Sequence, residues 1–209
     1  MNLFDENHFY DLFAKQTTEK PKPLRLSSIL EKGGNQMSTN DLTRIALMTA
    51  VLCILAPVSL PLPISSVALS LATFALYLMA YILKPGQALA AVLLYLLLGA
   101  IGLPVFSGYM AGISRFAAPG GGYLIGYLFL TGIGGWFVYR FSALPLQLFG
   151  MFLGTFVMYL LGTFWMAYVT GIAFLAALPA GMLVFLPLDI LKIIFASYIA
   201  RKIKRHITK

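Results

Sequence analysis

Phe185-Leu-Pro-Leu-Asp-Ile-Leu-Lys-Ile-Ile-Phe-Ala-Ser-Tyr-Ile-Ala-Arg201 is an apolar run broken by one acid, Asp189, and one base, Lys192. Pro187 suits a first helical position, where its missing N–H is no loss, and an acid in the first turn meets the positive end of the helix. The run predicts a helix starting at Pro187 and entering a membrane. An ionisable group at that depth costs at least about 2.5–3.5 kcal/mol unless something pairs with it, and residues three apart on a helix are neighbours. Asp189, the only carboxylate after Asp41, and Lys192 thus form a candidate functional pair close to one membrane surface.

The rest of the chain has the same character. Of its 209 residues, 60% are hydrophobic and 11% charged, and the mean hydropathy is +0.87, more apolar surface than a soluble core of this length could bury. The chain reads as an all-α, polytopic membrane protein. A net charge of +8 could suggest nucleic acid, but the cations gather at span boundaries and in Arg201-Lys-Ile-Lys-Arg205, the pattern of cytoplasmic anchoring. The single cysteine, Cys53, permits no intrachain disulfide and no cysteine-rich metal site. Neither a metal nor a cofactor is expected.

Proline, glycine and charge divide the apolar sequence into six expected spans: Leu42–Pro57, Ser66–Leu83, Gln87–Leu103, Gly121–Tyr139, Leu146–Val169 and Pro187–Ile203. Ala173–Leu186 is apolar enough to re-enter the membrane without crossing it. With both termini cytoplasmic, Arg44, Lys84, Arg140 and the C-terminal cluster fall inside, leaving Arg115 outside. Arg115 is then either an ordinary loop charge or a ligand group.

Residues up to Asp41 hold six of the seven acids and no long apolar run, so they read as a polar tail and not as a signal peptide. Two domains are expected: a tail over 1–36 and a membrane domain over 37–209. Lys32-Gly-Gly34 is what a ribosome-binding sequence would encode in frame, a few nucleotides before the Met37 codon, which places the translation start at Met37. As an alternative, Phe4–Phe13 forms a short amphipathic helix on the membrane surface.

A long external connection between the third and fourth spans carries the densest signal: Gly99-Ala-Ile-Gly-Leu-Pro-Val-Phe-Ser-Gly108, then Tyr109-Met-Ala-Gly-Ile-Ser-Arg115, then Pro119-Gly-Gly-Gly-Tyr-Leu-Ile-Gly126. Irregular backbone is tolerated at membrane depth only where it is buried in protein or lines a cavity, and glycine lets backbone approach a ligand closely. Gly108, Gly121 and Gly122 are therefore candidate binding positions; the plainer reading is that they turn the chain and let the fourth helix pack tightly.

Leu93-Leu-Tyr-Leu-Leu-Leu-Gly-Ala-Ile-Gly-Leu-Pro-Val-Phe-Ser-Gly108, Pro119–Tyr123 and Phe185–Lys192 together resemble the BioY family, the biotin-binding S components of energy-coupling factor (ECF) transporters. The resemblance runs over about residues 38–205. Two departures stand out: Ala118-Pro-Gly-Gly-Gly-Tyr123 where the family usually has Gly-Pro-Thr-Gly-Gly-Tyr, and Ala72 where a glutamine is usual. What the resemblance implies is a six-helix protein that captures biotin in a pocket open to the outside. Its partners would be an ECF transmembrane coupling protein and two ATPase subunits, with membrane lipid around them. The chain has no Gly-x-x-x-x-Gly-Lys-Ser/Thr phosphate loop of its own.

Biotin has an apolar bicyclic ring and tail, a ureido group that donates and accepts hydrogen bonds, and a carboxylate. A buried carboxylate calls for a cation, for which Arg115 and Lys192 are the candidates. Asp189 either accepts ureido N–H bonds or holds Lys192 in place. Tyr95, Tyr123, Trp165 and Tyr168 could wall the ring, or serve as ordinary core and interfacial aromatics. In the first span, Ala46 and Ala50 are small residues four apart. In S components this pattern resembles the surface that docks on the coupling protein; otherwise it packs within the same bundle. An intramembrane enzyme would need a nucleophile with its base or paired carboxylates, and the spans offer no histidine and one Asp. The remaining alternatives are an S component for another vitamin and a stand-alone small-molecule transporter.

Overall fold

The structure is a computed structural model that describes residues 38–63 and 65–207. The tail, with the expected Met37 start and the Phe4–Phe13 segment, lies outside the described residues. Helix α1 (Thr39–Leu55) carries Asp41 in its first turn, where an acid complements the helix dipole. A short antiparallel pair follows, β1 (Ser59–Leu60) with β2 (Leu69–Ser70), in the register Ser59 to Ser70 and Leu60 to Leu69. Next come α2 (Ala72–Ile82) and α3 (Pro85–Ala100), which begins with proline at its first position. The connection 101–120 is irregular except for the single turn α4 (Ser114–Ala117). Helices α5 (Gly121–Arg140) and α6 (Leu144–Thr170) follow, and α6 ends at Gly171, whose φ of +73° is the left-handed stop that glycine accepts. The chain closes with α7 (Phe174–Leu178), a π segment over Pro179–Leu183, and α8 (Leu186–Ile207).

Among the described residues, three helical runs are long and apolar enough to cross a membrane: Gly121–Arg140, Leu144–Thr170 and Phe174–Ile203, of 20, 27 and 30 residues. Helices α2 and α3 are shorter apolar helices. The protein is mostly helical and multi-pass.

Two expected boundaries shift. Ser66–Leu71 is not the start of a helix: Ser70 pairs in β2, its hydroxyl accepting the Ala72 N–H at 2.9 Å and donating to the Ala56 carbonyl at 2.8 Å. This local bonding holds the chain extended until α2 begins, as serine does at helix starts. Ala173–Leu186 is not a separate re-entrant loop: its helical turns lead through the π segment into α8.

The core is built by close approach of α5 and α6. A Cβ at Gly122 would strike Trp165 and Leu161, at Gly126 Met158, at Gly134 Met151, at Gly154 Leu130, and at Gly162 Tyr123. Glycines four and eight apart on both helices, Gly122, Gly126 and Gly134 on α5 and Gly150, Gly154 and Gly162 on α6, let the backbones meet, the main route to helix association where lipid supplies no hydrophobic drive. Helix α2 packs between α5 and α8, while α3 packs between α5 and α1. The Thr49 hydroxyl, bonded to the Ala91 carbonyl at 3.2 Å, ties α1 to α3.

Candidate functional site

Asp189 sits in the first turn of α8 with its side chain 1% exposed. Its Oδ1 receives Lys192 Nζ at 2.9 Å and the Thr73 hydroxyl at 3.0 Å, and its Oδ2 receives the Tyr159 hydroxyl at 2.5 Å. A carboxylate this deep is tolerable only when paired and bonded in this way. Lys192 Nζ also donates to Thr73 Oγ1 at 2.9 Å and to the Ser70 carbonyl at 3.0 Å. An ammonium has three N–H donors, and all three have partners. Four elements therefore converge on one ion pair: α8, α2 through Thr73, α6 through Tyr159 and β2 through Ser70.

Two cavities lie over this network. The smaller, about 40 Å³, reaches Lys192, Thr73, Tyr159 and Phe185. The Tyr159 and Phe185 rings stack 6.0 Å apart, 11° from parallel. The larger cavity, about 370 Å³, runs beneath the β1–β2 hairpin to Arg115, Ser107, Gly108 and Phe106. Val67, Ala68, Ser70, Tyr123 and Tyr127 line both, so the two adjoin. The larger has the size of a small-molecule pocket. Mostly apolar walls run between two polar poles, the Lys192–Asp189 network and Arg115. Asp41 and Asp189 are the only acids among the described residues, and the one ion pair among them is Lys192–Asp189; Arg115 has no acidic partner there.

The wall of the larger cavity is a braced turn. Phe106 and Met110 exchange backbone bonds at 3.0 and 3.3 Å, and the Gly108 N–H donates to the Pro57 carbonyl at 3.1 Å, beyond the end of α1. The Phe106 ring presses on Gly99 and meets Tyr95 and Phe116 edge-on at 5.6 and 5.9 Å. Gly108 and Tyr109 both have positive φ, +72° and +59°. For tyrosine that conformation is strained and persists only where the surroundings enforce it.

The profile of the BioY family matches residues 29–209. The chain belongs to the BioY family. The biotin transporter BioY2 of Lactococcus lactis subsp. cremoris is 34% identical over 159 residues, covering 75% of this chain and 86% of that protein. The biotin transporter BioY of Thermotoga maritima is 33% identical over 171 residues, covering 79% and 96%. Among solved structures, the S-component for biotin from an ECF-type ABC transporter superposes with a TM-score of 0.76 at 28% identity, covering 82% of this chain and 94% of that one.

Within this BioY chain, the residues singled out from the sequence divide into two groups. Arg115, Gly108, Tyr123 and Lys192 line the cavities, and Asp189 lies directly behind Lys192. The others sit outside both. The Tyr95 hydroxyl donates to the Val105 carbonyl at 3.2 Å, and Trp165 Nε1 donates to the Ala118 carbonyl at 3.1 Å, so both hold the loop wall from behind. Gly121 packs on the Phe116 backbone and Gly122 on Trp165, the tight-packing reading of these glycines. Tyr168 is exposed beside Trp165. Ala46 and Ala50 lie on the exposed face of α1, opposite buried Ile45, Thr49 and Leu52. Sequence reasoning missed Thr73, Tyr159, Tyr127 and the hairpin serines; the one available signal was the serine-rich stretch Ser59–Ser70 lying between two apolar runs.

Proposed function

We propose that this protein captures biotin for uptake, as the membrane-embedded substrate-binding S component of an ECF-type transporter. The observation that carries the reading is the pair of adjoining cavities with two unlike polar poles, in a chain whose relatives are biotin transporters. Because every Lys192 donor already has a partner and Arg115 has no acidic partner among the described residues, Arg115 neutralises the biotin carboxylate. The ureido ring then lies toward Thr73, Tyr159 and the Asp189–Lys192 network, whose acceptors its N–H groups can share. Tyr123, Tyr127 and Phe185 supply the apolar wall.

In this reading α1, α2, α3, α5, α6 and the α7–α8 run are the six crossings. Helix α2, with 11 residues, spans only about 16 Å, and the hairpin before it completes the outer half of that crossing, which is tolerable where irregular backbone lines a cavity. Arg44, Lys84, Arg140 and the α8 cations gather at the cytoplasmic side with both termini, and the 101–120 connection faces outward. ATP hydrolysis belongs to separate ATPase subunits acting through a coupling protein. The exposed Ala46–Ala50 face of α1 is where that protein docks. Calorimetric titration of detergent-purified protein tests the ligand: biotin should bind and raise the thermal midpoint. Stabilisation by riboflavin or thiamine, with none by biotin, would sink the reading.

A further inference from the structure

Five serines line the larger cavity, and they differ in what their hydroxyls do. Ser70 donates to the Ala56 carbonyl and accepts from the Ala72 N–H, and Ser65 accepts the Val67 N–H at 3.1 Å. Ser66 is exposed and Ser59 half-buried. Ser107 stands apart: it lines the cavity that Arg115 also lines, and its Oγ is buried with no hydrogen-bond partner among the described residues. Buried hydroxyls are nearly always bonded, and leaving one unbonded destabilises a fold. Ser107 is also held in place. It sits in the turn closed by the Phe106–Met110 bonds, beside the Phe106 anchor and immediately before the two positive-φ residues, Gly108 and Tyr109. Strain of this kind collects at ligand sites because the surrounding structure enforces a geometry that the backbone alone would not choose.

We propose that Ser107 is a ligand contact, its hydroxyl donating a hydrogen bond to the same carboxylate that Arg115 neutralises. This rests on the biotin reading above. Arginine supplies charge, and the serine, aimed by a rigid turn, adds direction: a donor positioned before the ligand arrives binds more tightly than one that must be ordered on binding. The hydroxyl is thus kept unbonded in the fold in order to be bonded by the substrate.

The inference yields a signature that a purely structural serine would not give. Ser107→Ala removes a destabilising hydroxyl from the free protein, so the thermal midpoint of the unliganded variant should equal or exceed that of the unmodified protein. Biotin affinity should nevertheless fall about tenfold or more, the range for a hydrogen bond to a charged group. The affinity for the alcohol made by reducing the biotin carboxylate should hardly change, and Ser107→Thr, which keeps the hydroxyl, should recover much of the biotin affinity. Unchanged biotin affinity in Ser107→Ala would overturn the proposal while leaving the biotin reading intact. Equal losses for biotin and its alcohol, or a lowered unliganded midpoint, would assign Ser107 to the fold and also overturn it. Failure of the unmodified protein to bind biotin would remove the parent reading and this one with it.

Discussion

Replacing Lys192 with alanine isolates the energetics of the polar pole. The side chain makes three contacts, with Asp189 at 2.9 Å, Thr73 at 2.9 Å and the Ser70 carbonyl at 3.0 Å, and its loss leaves Asp189, 1% exposed, without a counter-charge. Thr73 and Tyr159 still donate to the carboxylate, but hydroxyls do not neutralise it. Breaking a buried pair on one side destabilises by about 3–5 kcal/mol, and the lining of the small cavity should lose its order with it, weakening biotin binding. Lys84→Ala is the control: Lys84 is exposed between α2 and α3, and surface changes of this kind stay within about 0.5 kcal/mol. The decisive comparison is the double variant Asp189→Asn/Lys192→Met, which removes both charges at similar volume. Since the lone buried charge is what harms the single variant, the double variant should melt higher than Lys192→Ala, even though it binds biotin no better. Thermal melts in detergent and biotin titrations measure both quantities. The reasoning is refuted if Lys192→Ala matches Lys84→Ala in midpoint and affinity, or if the double variant is no more stable than the single one.

Arg115→Ala should nearly erase the preference for biotin over its uncharged amide, measured by competitive titration; an intact preference would give the carboxylate to another group. Gly154→Ala should destabilise by about 1–3 kcal/mol, because its Cβ would meet the Leu130 carbonyl oxygen at 2.9 Å and the Gly134 nitrogen at 3.3 Å, backbone atoms that cannot step aside. Gly86→Ala, with no neighbour within 4 Å, should be neutral or stabilising in the same melts. Ala46→Leu with Ala50→Leu should leave biotin titrations unchanged and abolish pull-down of the ECF module; retained assembly would free this face of a docking role.

Much of the architecture was legible because membrane helices announce their ends. Pro85, the Gly120–Gly122 run, Arg140, Pro145 and Gly171 each sit at or beside a helix boundary, and the expected limits of the third, fourth and fifth spans fall within a few residues of α3, α5 and α6. The second span began too early because Val67-Ala-Leu69 is as apolar as the helix after it, and what holds the chain extended before that helix is the pairing of Leu69 with Leu60 and of Ser70 with Ser59. The ion pair was visible as two isolated charges three residues apart. Its partners were not: Thr73 and Tyr159 lie 116 and 30 positions from Asp189, and nothing local distinguishes them from other residues of an apolar helix. Tyr95 and Trp165 illustrate the converse, aromatics singled out as ring-packing candidates whose polar atoms instead bond the loop's backbone from behind.

Tyr123 shows how one side chain can bind two kinds of change together. Its ring borders both cavities, while its hydroxyl donates to the Gly181 carbonyl at 2.7 Å, inside the π segment that leads into α8. π segments are rare local departures from α-helical bonding, and here a wall of the pocket bonds to one directly. A lineage adapting this pocket to a different vitamin would find Tyr123→Phe closed to it, since the exchange that alters the wall also strips a bond from the bend before the helix carrying Asp189 and Lys192. Evolution of ligand choice in this scaffold should therefore run through the hairpin and the 101–120 connection, where side chains can change without unsettling the helix beneath them.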